Sequence, residues 1–368
     1  MKDGNGHARL RIAQVAPLHE SVPPQLYGGT ERVVAYLTNA LVALGHDVTL
    51  FASGDSVTDA KLVATVPHGL RLAGCADTLS PHLFMLEQVY RRAHEFDVVH
   101  FHLDQLHFPT TYREGVRHVT TLHGRLDLPE IWPLYRLFEE MPVVSISDAQ
   151  RAPMPWAAWQ GTVYHGLPAR RGLVPSAGEY LAFLGRICPE KGIDRAIEIA
   201  RRAGMPLRVA AKIDTADRAY YERVIAPLMA QPHVEFVGEI GEAEKQAFLA
   251  GARALLFPVD WPEPFGMVLI EAMACGTPII AFPRGSVPEL VEDGVSGFLC
   301  RDVDEAVDAV HRVADLSRQA CRAVFDRRFT AERMACDYIV IYRRLFDAGR
   351  DHPDRGPVLY PGTEQASG

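Results

Sequence analysis

Apolar runs of strand length alternate with helical stretches along this chain, and the alternation starts twice. Residues 10–17 form a β-rich apolar run, followed by a loop carrying Pro23, Pro24, Gly28 and Gly29, a helical pattern over 30–44, a Gly45-His46 turn and a strand over 48–52. That is a βαβ unit, and parallel strands need such crossovers because no tight turn can join them. Further strands are predicted at 98–102, 119–122 and 143–146. After a stretch rich in Gly, Pro, Ser and Arg, the pattern restarts with strands at 180–184, 207–211, 234–237, 254–257 and 278–282, separated by helices at 193–203, 217–229 and 242–250. Helices over 303–316, 318–329 and 331–346 follow, then a Pro/Gly/Asp-rich tail over 349–368 expected to be disordered. The fold class is therefore α/β, with two parallel sheets, a linker near 170–178 and a cleft between the sheets. In such sheets ligands bind beyond the carboxyl ends of strands, so the loops after strands carry the functional weight.

The whole-chain numbers narrow the class. A length of 368 residues exceeds one ordinary core, and 48% hydrophobic residues suffice for two. No apolar run approaches the roughly 18 residues of a membrane span, and the polar N-terminus lacks a leader's apolar core. Cys75, Cys188, Cys275, Cys300, Cys321 and Cys336 show no metal-ligand spacing and read as reduced thiols, so a cytoplasmic protein is expected. A net charge of −8 without a long basic run argues against nucleic acid as partner, while peripheral contact with a membrane is left open. The paired arginines, such as Arg91-Arg92 and Arg201-Arg202, are dispersed over predicted helices and read as solvated faces.

Four strand-end loops hold the chemistry. In Trp261-Pro-Glu263-Pro-Phe265-Gly266-Met267-Val268-Leu-Ile-Glu271, prolines forbid helix around Glu263, and a helix opens after Gly266. On one helix the two carboxylates would stand roughly 12 Å apart, beyond the roughly 5–9.5 Å of glycosidase pairs, so they suit two ends of one long ligand. Gly185-Arg186 and Lys191-Gly192 place two cations after a strand, a planar fork and a point charge fit for a diphosphate. His123, before Gly124, ends another strand, where it either bonds backbone or does chemistry. Gly28 and Gly29 open the first helix, where backbone can approach a phosphate or simply turn; no GxGxxG dinucleotide fingerprint is present.

Taken together and in this order, Gly28-Gly29, His123, Gly185-Arg186 with Lys191, and Glu263-x7-Glu271 resemble the family 4 retaining glycosyltransferases over nearly all of residues 9–347. The resemblance implies the GT-B fold: two Rossmann-like domains facing across a cleft, spanning 1–172 and 173–332, and a helix at 333–348 crossing back to the first. It implies that Arg186 and Lys191 bind the diphosphate of a nucleotide sugar and Glu271 the ribose. Glu263 and the Phe265-Gly266-Met267-Val268 segment would bind the sugar, with His123 reaching it from the first domain. Gly28 and Gly29 would close over the diphosphate, and Ile240 would lie beside the base. Asp127, Trp132 and Asp148 are candidates for the acceptor side. Tyr164-His165-Gly166 stands where the family often has Pro-Asn-Gly, and Trp261 is bulkier than the family's usual residue there.

The expected reaction is sugar transfer with retention to a small-molecule, glycan or lipid-linked hydroxyl, without metal or cofactor, glucose from UDP-glucose being favoured on family frequency. Asp302-Val-Asp304 reads as a helix cap rather than a metal motif. The rivals are a catalytically silent sugar-nucleotide-binding module, which binding without turnover would reveal, and a nucleotide-sugar epimerase. His102, His107, Trp132, Trp156 and Trp159 sit in loops suited to an acceptor ring, or to ordinary packing.

Overall fold

Residues 9–25, 28–169 and 178–348 are described by the computed structural model. Residues 170–177 of the linker predicted near 170–178, Leu26, Tyr27 and the tail lie outside them. Strands β1 (Arg11–Val15), β2 (Asp47–Ser53), β3 (Lys61–Val66), β4 (Val98–Phe101), β5 (His118–Thr121), β6 (Val143–Ser145) and β7 (Trp159–Thr162) form a parallel sheet ordered β3-β2-β1-β4-β5-β6-β7. Strands β8 (Tyr180–Arg186), β9 (Leu207–Lys212), β10 (Val234–Gly238), β11 (Ala252–Phe257), β12 (Ile279–Ala281) and β13 (Gly297–Leu299) form a second parallel sheet ordered β10-β9-β8-β11-β12-β13. Strands β4 and β5 are buried from end to end, as expected where helices cover both faces.

Three strands escape the sequence reading. The outer strand β3 is only half-buried, β7 carries a glycine in its four residues, and β13 is three residues long. The predicted helix at 217–229 is a broken one, with a single π turn at Tyr221–Ile225 before Ala226–Met229. Pro227 lacks the amide that an unbroken helix would give to residue 223, which accounts for the wider turn beside it.

Helix α1 (Gly29–Ala43) follows β1, α2 (Ile193–Ala203) follows β8, α3 (Glu242–Ala250) precedes β11 and α4 (Met267–Ala274) follows it. The last helix, α5 (Ala331–Ala348), crosses back: Met334, Ala335, Tyr338, Ile341 and Tyr342 are buried in one cluster with Ile12, Val33, Leu37, Val98 and Val119 of the first domain. Asp302 caps its helix by accepting from the Glu305 amide at 2.9 Å. Among the described residues no helix is long and apolar enough to cross a membrane.

Both sheets reverse strand order once, at β1/β4 and at β8/β11, and those switch points create crevices at the carboxyl ends of the strands. Arg186 ends β8 and the Glu263 loop follows β11, so the two loops flank the second crevice.

Candidate active site

A cleft of about 510 Å³ lies between the two sheets. Gly28, Gly29, His123, Arg186, Lys191, Ile240, Glu263, Phe265, Gly266, Met267, Val268 and Glu271 all line it, although they come from five separate segments of the chain. Its charged lining comprises Arg32, Arg125, Arg186, Lys191, Lys212 and Lys245 against Glu239, Glu263 and Glu271. Six cations against three carboxylates make the cleft locally positive in a chain whose net charge is −8.

Glu263 is 6% exposed and holds a fixed pose. Its Oε2 takes the Lys191 ammonium in an ion pair and accepts the Trp261 indole N–H at 2.9 Å. The Lys191 ammonium stands 4.8 Å above the Trp261 ring, so the indole supports both partners. The loop is tied from two sides: the Ser286 amide donates to the Glu263 carbonyl at 2.9 Å, and Ser147 of the first domain donates to the Pro264 carbonyl at 2.7 Å. Gly285 packs so closely that a Cβ there would stand 2.4 Å from the Glu263 amide nitrogen, and its φ of 57° suits glycine. Gly266 adopts φ 81° and turns the chain into α4, whose first residues Met267 and Val268 line the cleft.

A second ionic chain spans the domains. Arg32 of α1 donates to Glu242 of α3 at 2.7 Å, Lys245 lies 3.2 Å from the same carboxylate, and its ammonium donates to Glu271 at 2.7 Å. Glu271 is thereby oriented at the cleft wall. Arg186 pairs with Asp217 at 3.4 Å and Lys212 with Asp214 at 3.3 Å.

His123 faces these groups from the first domain. Burial lowers its pKa to about 3, so the ring is neutral over the physiological range. It stacks on His165 with centroids 5.3 Å apart, and His165 meets Phe265 at 4.6 Å. The residue standing at the family's usual asparagine position is thus a buried aromatic wall behind His123.

Asp127, Trp132 and Asp148 do not line this cleft. Asp127 is paired with Arg125 at 2.8 Å, Trp132 donates its indole N–H to the Leu126 carbonyl at 2.8 Å, and Asp148 accepts from Thr162 at 2.5 Å. His107 is fully buried between Thr111 and Thr120, and Trp159 donates to the Met154 carbonyl, so packing accounts for both. The sequence reading missed Arg32, Lys212 and Lys245. Lys212 ends β9, and the strand-end rule alone would have found it. Among the described residues no three His, Cys, Asp or Glu side chains converge as metal ligands would.

The family model described as Glycosyl transferases group 1 matches residues 170–324, and that described as Glycosyltransferase Family 4 matches residues 27–159. The chain is 27% identical over 380 residues to a glycogen synthase of Mycobacterium tuberculosis, spanning 86% of this chain and 89% of that one. A D-inositol 3-phosphate glycosyltransferase of Mycobacterium marinum is 30% identical over 211 residues, 51% of this chain and 43% of its own. Among solved structures, AviGT4, a glycosyltransferase involved in Avilamycin A biosynthesis, is similar with a TM-score of 0.70 at 26% identity, covering 92% of this chain and 98% of its own.

Proposed function

The chain belongs to the family 4 glycosyltransferases and has the GT-B fold, and on that premise we propose that the cleft holds a nucleotide-diphosphate sugar whose sugar is transferred with retention to an acceptor hydroxyl. The observation that carries this reading is the convergence of Arg186, Lys191, Glu263, Glu271 and His123, from both domains, on one positively charged cleft. Arg186 and Lys191 bind the diphosphate, with the N-terminus of α4 adding backbone donors. Glu271, held by Lys245, binds the ribose, and Ile240 lies beside the base. Gly28 and Gly29 at the start of α1 leave room for the phosphates.

The bond from the anomeric carbon to the phosphate oxygen breaks, and the electron pair leaves on that oxygen. Arg186 and Lys191 stabilise the charge that develops there, which is where preorganised cations lower a barrier most. These cations also support a reaction without metal. The acceptor hydroxyl attacks from the same face and passes its proton to the departing phosphate oxygen. Glu263 orients the sugar and steadies the positive anomeric centre. Its pairing with Lys191 and Trp261 fits that role better than nucleophilic attack, since both partners draw charge from the carboxylate. The sugar is glucose, in keeping with the likeness to a glycogen synthase across most of the chain, and the donor is UDP-glucose. The acceptor is a small-molecule, glycan or lipid-linked hydroxyl met by the first domain.

Incubation with UDP-glucose and water alone tests the reading. Slow release of glucose, first seen as the α-anomer, is the expected result, with losses of about 10²–10³-fold in Glu263→Gln and Arg186→Ala. Release at the wild-type rate in either variant overturns the site.

A further inference from the structure

Between the cleft and the C-terminal helix runs an unbroken line of buried polar side chains. His123 Nε2 lies 2.9 Å from His102 Nδ1, and His102 Nε2 lies 2.9 Å from Gln14 Oε1. The Gln14 amide nitrogen donates to the Tyr342 hydroxyl at 3.1 Å, which lies 2.7 Å from His100 Nδ1. His100 Nε2 lies 2.7 Å from Thr121 Oγ1, and that hydroxyl pairs with Tyr338 at 2.8 Å. Gln14, His100, His102, Thr121, Tyr338 and Tyr342 are each at most 2% exposed, so every donor must find its acceptor within the line.

With the Gln14 amide oxygen toward His102 and its nitrogen toward Tyr342, the protons follow. An amide oxygen only accepts, so His102 Nε2 carries a hydrogen and, in a neutral ring, His102 Nδ1 carries none. The bond between the two histidines then comes from His123 Nε2–H, which leaves His123 Nδ1 bare. At the other end, the Gln14 amide nitrogen occupies a lone pair of Tyr342 and frees the phenolic hydrogen for His100 Nδ1. Phenol is a far stronger acid than a neutral imidazole N–H, so this sense is the favoured one. Turning the Gln14 amide over would reverse every bond in the line, which makes its orientation the point where the polarity is set.

We propose that Gln14 is a positioning residue that fixes His123, through His102, as the Nε2–H tautomer, so that His123 meets a sugar hydroxyl only as a hydrogen-bond acceptor at Nδ1. The line crosses from β1 and β4 to α5, so the crossover helix takes part in setting a proton at the cleft. The nature of the ligand rests on the donor-site reading above, whereas the tautomer does not.

Long-range nitrogen–proton correlation spectra of the full chain with 15N-labelled histidines read the tautomer directly, the His123 signals being assigned by their loss in His123→Asn. The wild type is expected to show His123 and His102 as Nε2–H, and Gln14→Met to turn His123 into a mixture of tautomers. His123 found as Nδ1–H in the wild type overturns the proposal, as does a pure Nε2–H His123 in Gln14→Met that still melts cooperatively. Should Gln14→Met not fold, His102→Asn stands in: its amide can turn either atom to His123, so a mixture is expected again and an unchanged tautomer overturns the proposal. If the wild-type tautomer is as assigned while His123→Asn binds UDP-glucose as tightly as the wild type, the tautomer stands and the sugar contact falls.

Discussion

At Glu263 a nearly buried carboxylate, an ammonium and an indole N–H satisfy one another before any ligand arrives. Removing the ammonium therefore acts twice. Lys191→Met is expected to lower kcat/KM by about 10²–10³-fold through loss of the contact proposed with the phosphate. It should also cost about 1–3 kcal/mol in urea unfolding, because the Glu263 charge is left without its cation. Adding Glu263→Gln to Lys191→Met is expected to restore most of that stability and none of the activity, a separation that unfolding curves and turnover assays read independently. Arg186 and Lys191 were legible in the sequence because glycines bracket them at a strand end. Lys245 and Arg32 were not, because each sits inside a helix whose pattern also suits a solvated face; only the fold brings them to Glu271 and Glu242.

Strands β4 and β5 with the loops beyond them, which present His123 to the cleft, and the loop after β7 carry an unusual load of buried histidine. Burial lowers the pKa of His118 to about 4 and of His123 to about 3, and pushes His100, His102, His107 and His165 well below the ordinary value. Unfolded, each takes a proton near pH 6.5; folded, none does until far lower pH. The unfolded chain therefore binds more protons between these values, and stability falls as pH drops through that window by about 1.4 kcal/mol per pH unit for each histidine fully titrating. Urea unfolding at pH 7.5, 6.5 and 5.5 should show a steepening loss, and equal stability at all three would contradict the buried neutral assignment. The strands themselves were legible where they are fully buried apolar runs. The edges β3 and β7 and the short β13 were not, since half-exposure or brevity leaves no pattern to count.

At the scale of the whole molecule, two cores face each other and charged contacts cross between them. Arg32 reaches from α1 to Glu242, and the same chain of charges ends on Glu271 at the cleft wall. Arg32→Ala is expected to weaken UDP-glucose binding by about tenfold, the value of one charged hydrogen bond, with the deficit shrinking as salt is raised. Titration calorimetry at two ionic strengths checks it. The two-domain arrangement followed from the restarted strand–helix alternation alone, whereas the closure of one domain on the other depends on pairings such as Asp148 and Ala149 amides with Glu289, for which the sequence holds no signal. The central claim is that the cleft is a nucleotide-sugar site held by Arg186 and Lys191. Thermal unfolding with UDP-, GDP- and ADP-glucose at 100 times their dissociation constants tests it most directly, since a bound donor should stabilise the fold by about 2.7 kcal/mol. UDP-glucose is expected to raise the melting temperature of the wild type, and Arg186→Ala and Lys191→Ala to abolish the rise; an equal rise in those variants, or none in the wild type with any of the three, would overturn the nucleotide-sugar site.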